Sequence, residues 1–171
     1  MSINDQVTDW EITHIAQVGG ASTVGAGVYF FKFKSVEADV NATVTFGGAG
    51  LGLGGSVGGG TLDGSPCIIV ECQPFSLMDL HGCWGIAVAG GVALAAGIGA
   101  ATFAATRTNS AGEDEVLFLA AEAGGQIGVA LGGSSFAGRW CYLNRTLDTY
   151  VNRPMTSAAR WLQEVVVNAT R

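Results

Sequence analysis

Ile86-Ala87-Val88-Ala89-Gly90-Gly91-Val92-Ala93-Leu94 is close to symmetric about its central glycine pair. On either side of the pair, large apolar residues alternate with alanine. A period of two marks a β-strand, because successive side chains leave opposite faces of the backbone. Glycine takes positive φ at no steric cost, so Gly90-Gly91 predicts a two-residue hairpin turn between two strands.

The same texture extends in both directions. Val24, Ala26, Val28 and Phe30 alternate with Gly25, Gly27, Tyr29 and Phe31. Val40, Ala42, Val44 and Phe46 alternate with Asn41, Thr43 and Thr45, and Ile127, Val129 and Leu131 alternate with Gln126, Gly128 and Ala130. Gly-Gly pairs recur at 47/48, 54/55, 124/125 and 132/133. The pattern predicts a mainly β fold, a Gly/Ala-rich antiparallel barrel or sandwich of about eight to ten short strands. Loops are expected at 61–66 and 107–115, where Gly, Pro, Asn, Ser and charged residues gather.

The period changes near the C-terminus. Ala158, Trp161, Leu162, Val165 and Val166 fall at helical spacing, with Arg160, Gln163 and Glu164 off that stripe. Pro154 precedes them, and Thr156 or Ser157 can serve as N-cap. One C-terminal amphipathic helix is expected over about 156–169. No linker interrupts the chain, so 1–171 reads as a single domain with its strand region at about 8–143.

Composition narrows the function classes. With 49% hydrophobic and 13% charged residues, the chain is too apolar for disorder, and its 27 glycines follow no Gly-X-Y period that would make collagen. Eight Lys+Arg and a net charge of −6 argue against nucleic acid as a partner. The residues Met1-Ser2-Ile3-Asn4-Asp5-Gln6 carry neither a basic nor an apolar signal region. The expectation is cytoplasmic synthesis, with any export by a signal-independent route or as part of an assembly.

Catalytic and cofactor patterns are poor. Gly50-x-Gly52-x-x-Gly55 fits a dinucleotide fingerprint in spelling only, because Ser56-Val57-Gly58-Gly59-Gly60 cannot open the helix that would receive a pyrophosphate. Gly54-x-Ser56-x-Gly58 has the letters of a nucleophile elbow without its strand-turn-helix setting. Cys67, Cys72, Cys83 and Cys141 lack metal-ligand spacing and read as reduced, small apolar residues. Asp79, His81 and Cys83 would share one face if 79–83 were a strand, but same-face neighbours stand about 6.5–7 Å apart, too far for direct proton transfer. His14 reads as a surface or hydrogen-bonded histidine. No catalytic residue, metal ligand or cofactor is expected.

The unusual feature is that many strands are apolar on both faces, with Val, Ile or Leu on one and Gly or Ala on the other. The Gly/Ala face suits close backbone approach inside a narrow barrel. The larger apolar face must then be covered by something else. Tyr29, Phe31 and Phe33, interleaved with Lys32 and Lys34, predict an aromatic core that ends at a solvated edge.

These observations predict a non-enzymatic structural or interaction protein that buries apolar strand faces against itself or other protein subunits. Trp84, Ile86, Val88, Val92, Leu94, Ile98, Phe103, Trp161, Leu162 and Val165 are the candidate contact residues. A membrane-active protein, inserting or pore-forming, is the alternative: it would use the segment 80–106, which holds no formally charged side chain and whose 84–106 part is long enough to span a bilayer as a helix, or an assembled barrel. Carriage of a small apolar ligand in a barrel mouth is a third.

Overall fold

The computed structural model describes residues 3–21, 23–53, 56–57, 66–109 and 111–143. The segments expected as the 61–66 loop, except Pro66, and as the 156–169 helix lie outside the described residues.

Among the described residues the chain is mainly β: one curled antiparallel sheet that forms a half-barrel, with one short helix. Its elements are β1 (Glu11–Ala21), β2 (Val24–Ser35), β3 (Val40–Leu53), β4 (Ser56–Val57), β5 (Ile68–Cys72), α1 (Leu77–Leu80), β6 (Trp84–Thr108) and β7 (Asp114–Leu143). The path β1-β2-β3-β7-β4 is hydrogen-bonded strand to strand, and β5 and β6 also pair with β7.

β7 organises the sheet because its two ends serve different neighbours. Residues 118–121 pair with β5, whereas 133–143 pair with β3. β6 follows β7 along almost its whole length, from Trp84↔Arg139 to Thr108↔Asp114. Pro66 bridges to Thr13, and the Cys67 amide donates to Ile12 O at 2.7 Å, which ties the residues leading into β5 back to β1.

The predicted hairpin at Gly90-Gly91 is not formed. Both glycines lie inside β6, paired with Gly133 and Gly132, and the chain reverses instead in the polar 109–113 segment. Twenty-five residues of straight strand would extend about 80 Å, far beyond a domain of this size. The β6–β7 ribbon therefore folds back, and a Cβ added to Gly85 would lie 2.5 Å from Ala104 O. Glycines stand opposite one another at Gly90↔Gly133, Gly91↔Gly132 and Gly99↔Gly124. Without side chains on either strand, the ribbon bends there at little cost. Residues 84–106 are thus strand, not a bilayer-spanning helix. No described helix is long and apolar enough to cross a membrane.

Alternation sorts the side chains as strand geometry requires. Tyr29, Phe31 and Phe33 point inward with Val44 and Phe46, while Lys32 and Lys34 are exposed. The core centres on Trp140, whose ring meets Phe31 at 5.0 Å, Phe46 at 5.2 Å and Phe118 at 5.2 Å. Its indole N–H donates to Ala104 O, so the ring is buried without leaving a polar atom unpaired. Phe103 is 0% exposed and packs edge-on against Phe31 at 4.7 Å. It cannot contact a partner or lipid. In β6 Ala87, Ala101, Phe103 and Ala105 share one parity and are buried.

Candidate interaction surface

The outward positions of β2, β3, β7 and β6 fall into registered rows. Val24, Leu51, Ser135 and Val88 form one row, and Ala26, Ala49, Ala137 and Ile86 form the next. Val28, Gly47, Arg139 and Trp84 form a third, and Phe30, Thr45 and Cys141 begin a fourth. Beyond them lie Lys32 with Thr43, then Lys34 with Asn41. The exterior therefore changes from polar at one end of the strands to apolar at the other.

The apolar part is open to solvent in this chain. Val24 is 74% exposed, Leu51 65% and Trp84 56%, with Ile86 and Val88 nearly half exposed. Ile98 continues the outward set along β6, and Ile68 and Val70 are exposed on β5. Of the sequence-predicted contact residues, Trp84, Ile86, Val88 and Ile98 are exposed, and the register brings the first three onto this face. The side chains of Val92 and Leu94, and all of Trp161, Leu162 and Val165, lie outside the described residues. Val24 and Leu51 were missed as contacts, although both stand at outward positions of the same alternation.

The two middle strands carry Leu51, Ala49 and Gly47 on β3 and Ser135, Ala137 and Arg139 on β7, and the flanking strands carry Val24, Ala26, Val28 and Phe30 on β2 and Trp84, Ile86 and Val88 on β6. The outside of a curled sheet is convex, so flanking side chains fall away from its crown. The crown is low only at Ala49 and Ala137, between Leu51 at the apolar end and Arg139 at the polar border. At its polar border the Arg139 guanidinium lies over the Trp84 ring, 4.4 Å from the centroid, and donates to Gly82 O.

A cavity of about 380 Å³ opens beside this border, lined by His81, Cys83, Trp84, Arg107, Asp114 and Arg139 among others. Its cations are already engaged. Arg107 bonds Glu115 at 3.0 Å and lies 3.8 Å from Asp79. Residues 79–83 are not a strand: Ser76 caps α1, and Ser76 and Asp79 form a reciprocal capping box. Burial opposes ionisation of Asp79, but hydrogen bonds from Ser76 and Gln6, with Arg107 nearby, outweigh it and hold the carboxyl below its ordinary range. Cys83 donates its thiol hydrogen to Asp79 O at 2.9 Å, and His81 Nδ1 accepts from the Tyr142 amide at 3.2 Å. The Cys83 thiol thus meets the Asp79 backbone carbonyl, while the Asp79 carboxylate is held by Ser76 and His81 Nδ1 by the Tyr142 amide, so the three side chains make no relay.

A second polar cluster is inside. His14 is fully buried, placed by β1 on the inward side, with Nδ1 2.7 Å from Glu122 Oε1 and Nε2 3.0 Å from Ala16 O. The Cys67 thiol lies 3.7 Å from Glu122 Oε2, and burial pushes it up to about 12. A thiol held neutral is a poor nucleophile. Among the described residues, no group of three or more His, Cys, Asp or Glu is placed to hold a metal ion. Compared with known proteins, the chain matches no family model, no curated sequence and no solved structure.

Proposed function

We propose that this protein is a non-enzymatic interaction module that works by burying its apolar exterior against protein, further copies of itself included. The observation that carries the reading is the registered apolar face of β2, β3, β7 and β6, which ends sharply at Lys32 and Lys34. Four strands spaced about 4.8 Å apart and seven residues at about 3.3 Å give a face of roughly 300 Å². At about 25 cal/mol per Å², covering it is worth roughly 7 kcal/mol before the costs of association. Those costs run from about 4 to more than 15 kcal/mol, so association between separate copies is weak and concentration-dependent.

A lipid surface is the second reading, favoured by Trp84 at the polar–apolar border, where amphipathic rings settle at membrane interfaces. Light scattering on the full chain in salt, with and without detergent, separates the readings when paired with liposome co-sedimentation. The expected result is a mass that grows from micromolar to millimolar concentration and falls with Leu51→Lys or Ile86→Lys. A mass fixed at one chain over that range overturns protein association. Pelleting with liposomes would instead favour the lipid reading.

A further inference from the structure

We propose that the cavity between the two ends of the β6–β7 ribbon binds a neutral sugar ring, free or at the end of a chain, stacked on Trp84. The inference stands apart from the association reading, which concerns the apolar rows above this border.

Topology makes the cavity. Because the ribbon folds back, its two ends, Trp84↔Arg139 and Thr108↔Asp114, line one space. That space is about 380 Å³, at the small end of the range of about 300–1,000 Å³ that ligand sites occupy. A ligand here touches both halves of one ribbon.

Charge selects the class of ligand. Arg107 is offset by Glu115 at 3.0 Å and Asp79 at 3.8 Å. That leaves Arg139 on one ribbon end and Asp114 on the other, so an anion and a cation each meet a like charge in the lining. The net charge of −6 on the chain opposes an anion further. A neutral ligand that carries both donors and acceptors meets neither penalty.

The polar groups are fixed in place and keep the capacity to bond. His81 Nδ1 accepts from the Tyr142 amide at 3.2 Å, so Nε2 holds the ring proton and is a donor. Arg139 donates to Gly82 O, and a guanidinium has further N–H groups to give. Asp114 accepts from the Thr108 hydroxyl at 3.0 Å through Oδ1, and its second oxygen is a further acceptor. Donors at one ribbon end and a carboxylate at the other suit a ring edged with hydroxyls, since each hydroxyl both gives and accepts.

Trp84 supplies what such a ring needs besides hydrogen bonds. Its side chain lines the cavity and the residue is 56% exposed, which presents a flat apolar surface for the C–H face of a pyranose. The Arg139 guanidinium, 4.4 Å from the indole centroid, holds that platform in position.

The test is a heteronuclear NMR titration of the full chain with D-glucose, D-galactose and N-acetyl-D-glucosamine, each as the free sugar and as its methyl glycoside. Saturable shifts of the Gly82 and Thr106 amides are expected from at least one sugar, with a Kd on the order of millimolar. Trp84→Ala should weaken that binding about tenfold or more, Trp84→Phe should restore most of it, and Asp114→Ala should weaken it about fivefold. Amide shifts elsewhere that match the parent show that the variants fold. A methyl glycoside bound as tightly as the free sugar supports the proposal with a chain-terminal ring, and weaker glycoside binding supports it with a free one. No saturable shift from any sugar, or equal affinity in the parent and Trp84→Ala, overturns the proposal. Sodium phosphate should leave these amides unmoved, and saturable phosphate shifts without sugar shifts overturn the proposal in favour of an anion site. Leu51→Lys, which disrupts association, should bind the sugar as the parent does. Loss of sugar binding in that variant overturns a site complete within one chain.

Discussion

His14 Nδ1 stands 2.7 Å from Glu122 Oε1 in a site where the His14 side chain is 0% exposed and that of Glu122 8%. The imidazole lies 5.1 Å from the Phe31 ring and 5.4 Å from that of Phe103, so little water screens the pair. Both ring nitrogens face acceptors, Glu122 on one side and Ala16 O on the other. Removing one partner strands the other in the aromatic core. Glu122→Ala is therefore expected to cost about 3–5 kcal/mol in urea unfolding. His14→Leu combined with Glu122→Leu should recover most of that loss, since two apolar groups leave no charge unpaired. A Glu122→Ala variant within about 1 kcal/mol of the parent would show that the pair contributes little.

Cys67 should contribute to the loss of stability at alkaline pH. Burial first, and the Glu122 carboxylate second, raise its thiol from 9.0 to about 12. Burial also raises Cys72, Cys83 and Cys141. Above pH 9 the unfolded chain loses thiol protons that the folded chain keeps. The stability tied to these groups is thus complete below the unfolded value and lost as pH rises toward the folded one. The urea midpoint should fall between about pH 9 and pH 11, and Cys67→Ala should make that fall shallower. Equal slopes in the two proteins would rule Cys67 out as a cause.

Asp9 acts at the opposite end of the pH scale. Its carboxylate accepts from the Ser35 hydroxyl and from the Val36 and Glu37 amides, fastening the N-terminal segment to the β2–β3 turn. The Ser35 bond first, and the Glu37 amide next, hold its pKa below 3.8. Because the folded value is depressed, the stabilisation is present above 3.8 and disappears as pH falls through the folded value. Asp9→Asn should remove part of the acid dependence below about pH 4. The site is solvent-screened, so the loss at neutral pH should stay near 1 kcal/mol. Acid titrations of the two proteins by circular dichroism check this, and superimposable curves would contradict it.

Parity carried most of what was legible in the sequence. At the described positions, Trp84, Ile86, Val88 and Ile98 of β6, all even-numbered, are exposed, while the odd-numbered Ala87 and Phe103 are buried. Reading 84–106 as one uncharged block, rather than two faces, put Phe103 on the wrong side. The same alternation places His14 inward beside Ile12, and Glu122 inward beyond Ala120. Their meeting was not legible, because they are 108 residues apart and only the fold of β7 brings them together. α1 carried a local signal in Ser76 and Asp79, the polar ends of a capping box. The glycine pairs misled for a physical reason. A tight turn and a bend in a paired ribbon both need residues without side chains, and the choice between them lies with β7, some forty residues on.

That ambiguity makes the glycines the sharpest test of the fold. If they served only as turns or flexible spacers, replacing any one with alanine would cost a similar amount. The curled sheet demands otherwise. A Cβ on Gly138 would overlap Gly47 O, and one on Gly85 would meet the Trp140 indole nitrogen and Ala104 O. Both obstacles are backbone or fully packed side chain, so neither can yield without opening the sheet. Gly90→Ala meets nothing closer than Gly132 O at 3.6 Å, an ordinary van der Waals distance. Gly138→Ala and Gly85→Ala should each cost about 3 kcal/mol or more in urea unfolding. Gly90→Ala should stay within about 1 kcal/mol of the parent, since a compatible alanine also restricts the unfolded chain. Equal losses at all three positions would mean that β3 and β7 do not cross as closely as their register requires.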